Sequence, residues 1–395
     1  MSFKGKTHIV HITQRLEIGG LESFIVEFCR KFDKDAFTAT VLCLNGYDEL
    51  YSKSLAECGV AVHLIRKNSR YDLLFLWRAA AFLKRIKADI VHSHGGCFLY
   101  SSLIGKLAGV KGLVYTVHGM PVVSGLQAGV EEFLSCAMTD RIVAVSDEVA
   151  EDLKCRRRWA SQKIDVIING IDSDRYRPIY DKKVIADMKA DYGLPADKKI
   201  IGTVGRLEPV KNYPLLLHAF AKLTRSGSND FHLVFVGSGS DDEALKSLAD
   251  NLGIAERVTF LGMQYDLHRI YPLFDVFVLP SLTEGTSLSL LEAQSCGVTA
   301  VVTDVGGNYR VIKNGLNGFL SPSGDHDAMT AHLDRCLNCD TELAAMGKAA
   351  RAEILDKFNI NAVLKQYQAM YCGLVKPDAV SEFHASRGKY DVSPT

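Results

Sequence analysis

Two glutamates stand eight positions apart in the stretch Glu284-Gly-Thr-Ser-Leu-Ser-Leu-Leu-Glu292. The stretch follows an apolar run that ends in a turn, Val276-Phe-Val-Leu-Pro-Ser281. A strand that passes through a Gly-Thr-Ser turn into a Leu-rich helix leaves backbone N–H groups at the helix start, and these groups favour an anion such as phosphate. Glu292 then lies about two turns into the helix. The stretch predicts a phosphate site between two carboxylates, formed by the turn Gly285, Thr286 and Ser287 and by Leu288 after it.

A second turn carries two cations, Arg206 and Lys211, five positions apart after the apolar run 200–204. Arginine offers a planar fork to phosphate oxygens, and lysine adds a point charge. The pair therefore suits a diphosphate. The alternative is that both are solvated surface cations.

Three further turns follow predicted strands, and ligands of open parallel sheets bind beyond the carboxyl ends of strands. Gly19 and Gly20 permit close approach of a ligand to the backbone, although a plain turn explains them equally well. Gly237 lies in Val236-Gly-Ser-Gly-Ser-Asp241, which lacks the full spacing of a dinucleotide fingerprint and predicts only a wall of the pocket. Met263 and Gln264 lie where a nucleotide base could meet backbone groups.

Three histidines stand near the ends of predicted strands. His118 precedes Gly119 and Pro121 and is a candidate active-site residue, although a lone histidine is more often structural. His92 and His94 fall on one strand face and could mimic a pair of metal ligands. Because the sequence specifies no third ligand, we expect no metal there.

Composition limits the class of protein. The 395 residues are 47% hydrophobic and 23% charged, with a net charge of zero, as in a soluble globular protein of about two domains. A balanced charge argues against nucleic-acid binding. Residues 1–178 hold 24 Lys and Arg against 20 Asp and Glu, and the rest hold 22 against 26, so the halves carry +4 and −4.

Cysteine usage and hydropathy predict a cytoplasmic location. The ten cysteines are scattered, Cys336 and Cys339 form a CxxC pair without a second pair, and the start of the chain resembles no secretory signal. No apolar run approaches the ~20 residues that span a membrane. The basic run 154–159, which ends in Trp159, could contact anionic lipids at the inner face of the membrane, or it could be a solvated loop.

Short apolar runs alternate with amphipathic segments along the chain, which predicts an α/β protein with parallel sheets covered by helices on both faces. The predicted strands are 8–12, 39–44, 60–65, 90–93, 113–117, 142–145, 166–168, 200–204, 232–236, 258–261, 276–279 and 300–302. An Asn-Gly turn and a polar stretch near 169–178 predict a domain boundary there.

Taken in order, these motifs resemble the retaining glycosyltransferases of family 4. The markers are Gly19-Gly20, Val143-Ala-Val-Ser146, Asn169-Gly-Ile-Asp172, Gly205-Arg206, Lys211-Asn212, Val236-Gly-Ser-Gly239, the stretch 275–281, Glu284 with Glu292-Ala293, and Asp304-Val-Gly-Gly307. The resemblance covers about residues 10–374. One departure is Thr286-Ser287, where many members carry Phe-Gly after Glu-Gly, and it alters the wall beside the donor sugar.

The resemblance implies the GT-B fold, with two Rossmann-like β/α/β domains that face each other across a cleft. It assigns residues 1–177 to acceptor binding and 178–357 to donor binding. A helix over 358–374 crosses back to the first domain, and a mobile tail covers 375–395.

The resemblance also implies roles for individual residues. Arg206 and Lys211 match the cation pair on the donor diphosphate. Glu284 matches the glutamate that contacts the donor sugar, and Glu292 the one that binds ribose. Gly19 and Gly20 match a loop near the diphosphate, and His118 matches a position that approaches donor sugar and acceptor.

The implied activity is transfer of a sugar from a nucleotide-diphosphate sugar, UDP- or GDP-linked, to a glycan, lipid-linked or small-molecule acceptor with retention of configuration. It needs no cofactor and no essential divalent metal, and its context is bacterial cell-surface or exopolysaccharide synthesis. Two alternatives stay open: a sugar-nucleotide 2-epimerase of the same fold, and a non-catalytic nucleotide-sugar-binding protein. Acceptor-dependent release of UDP separates the transferase from the epimerase.

Overall fold

The computed structural model describes residues 5–17, 19–67, 72–119, 125–225 and 230–375. They form two compact units. Unit 1 comprises residues up to Ile168 together with those from Asn361 onward, and unit 2 comprises Asn169–Ile360.

Unit 1 is built on a parallel sheet of seven strands in the order β3-β2-β1-β4-β5-β6-β7. Its central strands are buried on both faces, as expected of a parallel sheet covered by helices. Because β1 neighbours β4, His11 pairs in register with His92. The strands are β1 (Thr7–Leu16), β2 (Phe37–Tyr47), β3 (Ala61–Leu64), β4 (Ile90–His94), β5 (Gly112–Val117), β6 (Arg141–Ala144) and β7 (Ile164–Val166).

Six helices connect these strands, and several begin at a side-chain cap. Asp48, Asp72 and Ser146 each accept a hydrogen bond from a backbone N–H of the following helix, which satisfies one of the unpaired donors there. The helices are α1 (Gly20–Lys31), α2 (Glu49–Glu57), α3 (Leu73–Arg85), α4 (Phe98–Ala108), α5 (Leu126–Met138) and α6 (Asp147–Arg156).

Unit 2 contains a parallel sheet of six strands in the order β10-β9-β8-β11-β12-β13. The order reverses between β8 and β11, the place where open α/β sheets bind ligands. The strands are β8 (Lys199–Val204), β9 (Phe231–Val236), β10 (Val258–Phe260), β11 (Val276–Leu279), β12 (Thr299–Thr303) and β13 (Gly318–Ser321).

Eight helices belong to unit 2. One large core lies beneath α8 and includes Leu216, Phe220, Leu233, Phe235 and Leu333, all buried. The helices are α7 (Lys182–Asp191), α8 (Tyr213–Arg225), α9 (Asp242–Asn251), α10 (Leu267–Ile270), α11 (Leu288–Ser295), α12 (Asn308–Val311), α13 (His326–Asn338) and α14 (Asp340–Lys357).

The last helix, α15 (Ile360–Val375), belongs to unit 1 from Asn361 onward. Tyr371 and Tyr367 lie buried against the β1–β5 sheet. Their hydroxyls lie 2.6 Å from His92 Nδ1 and 3.3 Å from Thr116 Oγ1, respectively. These bonds satisfy polar groups that would otherwise be buried without partners, and so fix the helix on the sheet.

Two boundaries in the structure differ from those that the sequence predicts. The division falls between Ile168 and Asn169 and not between 177 and 178, because residues 169–177 bind the rest of unit 2. Ile171 pairs with Asn359, and the carbonyl of Tyr176 accepts hydrogen bonds from Ser295 and Arg351. Val375 ends α15 and does not begin a tail; the remainder of that predicted tail lies outside the described residues.

The strand predictions differ from the structure in extent and in number. β1 (Thr7–Leu16) and β2 (Phe37–Tyr47) extend beyond the predicted 8–12 and 39–44. β7 covers Ile164–Val166, slightly before the predicted 166–168. β13 was not predicted, because it is short and begins at Gly318. None of the described helices combines the length and the apolarity that a bilayer crossing demands. The ten cysteines all lie among the described residues and are free thiols.

Candidate functional site

The loop after β8 positions the two predicted cations differently. Lys211 ends a short 3₁₀ turn, Pro209–Lys211, and its Nζ lies 2.6 Å from Glu284 Oε1. The Lys211 side chain is 17% exposed. Arg206 pairs with Glu208 at 2.8 Å, but its side chain is 64% exposed. In this structure Arg206 is therefore largely solvated, as the surface-cation alternative expects, whereas Lys211 is largely removed from water.

Glu284 lies in the loop after β11, the strand next to β8. Its Oε1 accepts from Lys211 Nζ and from Ser281 Oγ, both at 2.6 Å. The backbone N–H of Leu282 donates to Val210 O at 2.9 Å and joins the two loops. Within the part of the chain that the structure describes, Glu284 Oε2 has no hydrogen-bond partner, so this oxygen can accept from a ligand.

Helix α11 begins directly after this loop. Ser287 caps it by accepting from the backbone N–H of Leu290, so the earlier N–H groups of the first turn are left for another acceptor. Thr286 and Ser287 are each only 6% exposed. Gly285 lies in the turn between Glu284 and the helix, and Leu288 is the first residue of α11.

Glu292 projects from the second turn of α11, and its side chain is buried, with only 4% exposed. Its Oε2 accepts from the hydroxyl of Tyr271 at 2.6 Å. Burial and the neighbouring Glu292 carboxylate hold the pKa of Tyr271 well above its ordinary value. Tyr271 therefore stays a hydrogen-bond donor and fixes the orientation of the carboxylate.

Two glycines of the loop after β12 pack against the backbone of Glu284 and Gly285. Gly306 has a φ of +52°, and a Cβ there would lie 1.9 Å from the carbonyl oxygen of Glu284. Gly307 donates its backbone N–H to Gly285 O at 2.9 Å. Any side chain at 306 would therefore displace the backbone that carries Glu284.

Gly237 shows the same kind of close backbone contact. Its φ is +136°, and a Cβ there would lie 2.0 Å from Gly205 O. A Cβ on Gly239 would lie 2.2 Å from Leu207 O. These glycines let the loop after β9 pack on the loop that carries Arg206. Loop packing is therefore sufficient to explain why Gly237 and Gly239 are glycines, without a contact to a ligand.

Met263 and Gln264 follow β10. Gln264 donates its side-chain amide to Leu261 O at 2.8 Å, and Gly262 O accepts from the backbone N–H of Gly237. Met263 is 46% exposed. The Met263 side chain is therefore accessible to a flat ligand such as a nucleotide base.

In unit 1, Gly19 caps the start of α1 and Gly20 is its first residue. A Cβ on Gly19 would meet only the flexible end of Glu22. The neighbouring loop after β4 carries Gly95, whose φ is +33° and whose added Cβ would lie 2.8 Å from Leu21 Cδ1. Gln14 Nε2 also donates to Gly96 O at 2.7 Å, so the two loops are held together.

His118 follows β5 and is half-buried at the end of a row of imidazoles whose other members are buried. His118 Nε2 lies 3.1 Å from His94 Nδ1, and His94 Nε2 lies 3.0 Å from His11 Nδ1. Burial lowers the pKa of His11 and of His118 to about 3. Burial and the neighbouring imidazoles also hold the pKa of His92 and of His94 well below the ordinary value.

The structure brings a third potential metal ligand, which the sequence did not specify, close to His92 and His94. His11, His92 and His94 bring ring nitrogens within 4.8 Å of one another. Both nitrogens of His92 already have partners, however: the Tyr371 hydroxyl at 2.6 Å and Thr116 Oγ1 at 2.7 Å. That no metal is bound there stays a prediction.

Comparison with known proteins decides the family. A model described as Glycosyltransferase Family 4 matches residues 18–175, and one described as Glycosyl transferases group 1 matches residues 184–353. The UDP-Gal:alpha-D-GlcNAc-diphosphoundecaprenol alpha-1,3-galactosyltransferase of Escherichia coli is 33% identical over an alignment of 315 residues, which covers 77% of this chain and 80% of the relative. This chain belongs to the family 4 glycosyltransferases.

Other comparisons agree. The N-acetyl-alpha-D-glucosaminyl L-malate synthase of Bacillus anthracis is 28% identical to this glycosyltransferase, over 78% of this chain and 81% of the relative. A glycosyltransferase structure from Rickettsia africae superimposes with a TM-score of 0.81 at 22% identity, covering 94% of this chain and 99% of the other. The structure of Anabaena HepE with UDP and glucose gives 0.80 at 19% identity, covering 92% and 99%. The fold is GT-B, and the enzyme is of the hexosyltransferase class.

The structure gathers some of the predicted site residues of this glycosyltransferase and adds others. Lys211, Glu284 and the start of α11 meet at the carboxyl ends of β8 and β11 in unit 2. Sequence reasoning missed Ser281 and Tyr271, which orient the two glutamates. Ser281 stands three residues before Glu284 and could have been noticed, whereas nothing near Glu292 in the sequence points to Tyr271.

We expect Gly306→Ala to lower turnover by about 10²-fold, since a displacement of about 1 Å at a catalytic group has an effect of that size. The added Cβ and the positive φ would both shift the Glu284 backbone. The matched control is Gly324→Ala, where φ is +82° but nothing lies within 4 Å of the added Cβ. Equal loss of steady-state turnover in both variants would contradict the proposed support of Glu284.

We expect folding stability to decrease as the pH falls below 6.5. A histidine whose pKa is lowered in the folded state binds its proton preferentially in the unfolded state, so its stabilising contribution is present above pH 6.5 and is lost toward pH 3. Because the pKa of His11 in the folded state is about 3, this residue alone lowers the free energy of unfolding by about 2 kcal/mol between pH 7 and pH 5.

Urea unfolding at pH 7, 6 and 5 measures this slope. The His11→Leu variant removes one titrating group, so its stability should change less steeply with pH even though its absolute stability is lower. A slope equal to that of the wild type would contradict the assignment.

Proposed function

We propose that this glycosyltransferase moves a hexose from a UDP-linked donor to a lipid-linked glycan acceptor, with retention of anomeric configuration. The observation that carries the donor part is the junction of Lys211, Glu284 and the α11 start in unit 2. The relative from Escherichia coli, named for a UDP-Gal donor and a diphosphoundecaprenol acceptor, supports the choice of substrates. A GDP-linked donor is the alternative that a donor panel tests.

The reaction requires that the negative charge which develops on the leaving group be stabilised. Breakage of the anomeric C–O bond leaves a nucleoside diphosphate that carries the bonding electrons. Arg206, Lys211 and the free N–H groups at the start of α11 would stabilise that developing charge. In this proposal the residues do so without a divalent metal, and retention results from attack on the same face that the diphosphate leaves.

The glutamates would position the donor. Glu284 Oε2 is available to accept from a sugar hydroxyl, since its Oε1 already accepts from Lys211 and Ser281. Glu292, oriented by Tyr271, would accept from ribose hydroxyls. Gly19, Gly20 and His118 lie at the carboxyl ends of strands in unit 1, where this proposal assigns them to the diphosphate and the sugar.

The direct test is a transfer assay with a panel of nucleotide sugars and a polyprenyl-diphosphate glycan, run with excess EDTA and with Mg²⁺. We expect UDP release that depends on the acceptor and equal rates in both media. Sugar isomerisation without an acceptor would instead support the 2-epimerase, and tight binding without turnover would support a non-catalytic protein. Activity lost in EDTA and restored by Mg²⁺ would overturn the metal-free mechanism.

We expect Arg206→Ala and Lys211→Ala each to lower kcat by about ten- to a thousand-fold, the effect of removing a preorganised charge. The control is Lys246→Ala, which removes a lysine that also pairs with acidic side chains of unit 2 but lies on the exposed helix α9. Wild-type rates in either site variant would contradict the diphosphate role.

Loss of Lys211 also leaves the Glu284 carboxylate without its ion pair, which is destabilising in a largely buried place. The double variant Lys211→Met, Glu284→Gln removes both charges. We use it to separate the two effects: urea unfolding should recover relative to Lys211→Met alone, and transfer should not recover.

An exposed apolar stripe in unit 1 supports contact with a lipid surface. Val130, Phe133 and Leu134 of α5 are 48%, 48% and 46% exposed, and Ala137 continues the same face at helical spacing. Trp159 is 50% exposed and its ring lies 5.2 Å from that of Phe133. An aromatic and aliphatic surface of this kind suits the membrane interface.

The basic run contributes less to this surface than the sequence indicates. Arg156 and Arg157 form ion pairs with Glu132, and Arg156 also pairs with Asp152. Lys154 and Arg158 are exposed. We therefore base the proposed membrane contact on the apolar stripe, with these two cations facing anionic headgroups.

We expect the double variant Phe133→Ser, Leu134→Ser to weaken binding to phosphatidylglycerol vesicles by about tenfold or more, because each buried side chain of this size contributes roughly 1.5–3 kcal/mol. Vesicle co-sedimentation measures the change. Leu355→Ser is the control, since Leu355 is equally exposed at 48% but belongs to unit 2. Unchanged binding of the double variant would refute the assignment of this surface.

A further inference from the structure

Three imidazoles in unit 1 form a hydrogen-bonded row that begins at the predicted active-site histidine. His118 follows β5, His94 ends β4, and His11 lies in β1. Their ring nitrogens join in sequence, His118 Nε2 to His94 Nδ1 at 3.1 Å and His94 Nε2 to His11 Nδ1 at 3.0 Å. The row therefore runs from the carboxyl edge of the sheet into its core.

Each ring in the row carries one proton. Burial holds the pKa of all three far below neutral pH, so none is an imidazolium. A neutral imidazole has one N–H donor and one acceptor nitrogen. Because each inter-ring bond needs one donor and one acceptor, the position of one proton determines the positions of the other two.

The surroundings of His11, at the inner end of the row, determine in which direction the hydrogen bonds of the row are donated. His11 Nε2 is buried and has no hydrogen-bond partner among the described residues. The rings around it are those of Phe28, at 5.0 Å between centroids, and of His92, at 5.2 Å. A buried N–H without a partner is rarer in proteins than an acceptor without one, which places the proton of His11 on Nδ1.

We propose that His11 and His94 are positioning residues that fix the proton of His118 on Nδ1. His11 Nδ1–H donates to His94 Nε2, and His94 Nδ1–H donates to His118 Nε2. His118 then presents an Nδ1–H, which has no hydrogen-bond partner in the described part of the chain. Under the proposed function, His118 donates a hydrogen bond to an oxygen of the sugar donor and does not act as a base.

A metal ion on the same histidines would exclude this arrangement. Ligand nitrogens of a metal cannot carry protons toward each other. Both nitrogens of His92 already have partners, at 2.6 and 2.7 Å, and the row of bonds between His11, His94 and His118 uses the nitrogens that a metal would need. The geometry therefore favours the proton row.

Nitrogen-15 NMR of histidine-labelled full-length protein at pH 7.5 tests the proposal, because long-range proton–nitrogen correlations distinguish the two neutral tautomers. We expect Nδ1–H signals from His11, His94 and His118, each assigned by the loss of its signal in a single variant. An Nε2–H tautomer for His118 would overturn the proposal. A joint shift of the His11, His92 and His94 signals on titration with Zn²⁺ would overturn it too.

Two variants of His94 separate positioning from packing. His94→Asn places an amide N–H near the position of the original Nδ1–H, whereas His94→Leu fills the space without a donor. We expect His118 to keep its Nδ1–H tautomer in the Asn variant and to gain Nε2–H in the Leu variant. An unchanged tautomer in the Leu variant would show that His94 does not set it.

Turnover in the same variants links the tautomer to the reaction. We expect kcat to fall by at least tenfold in His94→Leu, with recovery in His94→Asn. If the NMR tautomers are as expected but no variant or wild-type protein transfers sugar, the proposed function fails and the proton row stands. If transfer proceeds while His118 carries Nε2–H, the proton row fails and the function stands.

Discussion

The ion pair between Lys211 and Glu284 is the interaction on which the donor-side site depends. It joins loops that leave two neighbouring parallel strands, β8 and β11, and both side chains are largely removed from water. Such burial costs several kcal/mol per charge and is offset only when the geometry is good and other hydrogen bonds are made. Ser281 supplies one such bond, and the backbone bond from Leu282 to Val210 holds the loops at the required distance.

Close backbone packing behind this pair requires glycine. Gly306, in the loop after β12, packs against the backbone of Glu284. Gly237, in the loop after β9, packs against the loop that carries Arg206. In both places a carbonyl oxygen occupies the position where a Cβ would stand. A glycine after a strand is therefore an ambiguous signal, because ligand binding and loop-on-loop packing both require the missing side chain.

The sequence predicts much of the fold and part of the site, for reasons that particular residues make clear. Apolar runs of strand length are local signals, and twelve of the thirteen strands carried one; β13 begins at a glycine and did not. The approach of Lys211 to Glu284 follows from strand adjacency at the switch point. The placement of Tyr271 on Glu292, and of His11 beside His92, depends on tertiary packing and strand order, which no local pattern of residues encodes.

The basic run 154–159 shows that the charge of a surface, too, is not determined by the local sequence. Three consecutive arginines predict a cationic surface, yet Arg156 and Arg157 form ion pairs with Glu132, a residue of the preceding helix that is distant in sequence. The exposed apolar face of α5 had no equivalent in the sequence analysis, because exposure of a hydrophobic stripe depends on what packs against it. Net charge in a sequence window is thus a poor guide to the charge that a surface presents.

Arg206 and Lys211 contribute differently to the proposed reaction because of their surroundings. Lys211 and Glu284 together carry no net charge, so the pair orients groups but adds little net attraction for an anion. Arg206 also pairs with a carboxylate, that of Glu208, but this exposed pairing is weak enough to release the arginine to an anion at small cost. An ammonium group has three donors, so Lys211 can keep its bond to Glu284 while it donates to a phosphate oxygen. In this proposal the donor binds to Lys211, which Glu284 already holds in position, and Arg206 leaves Glu208 to bind the donor.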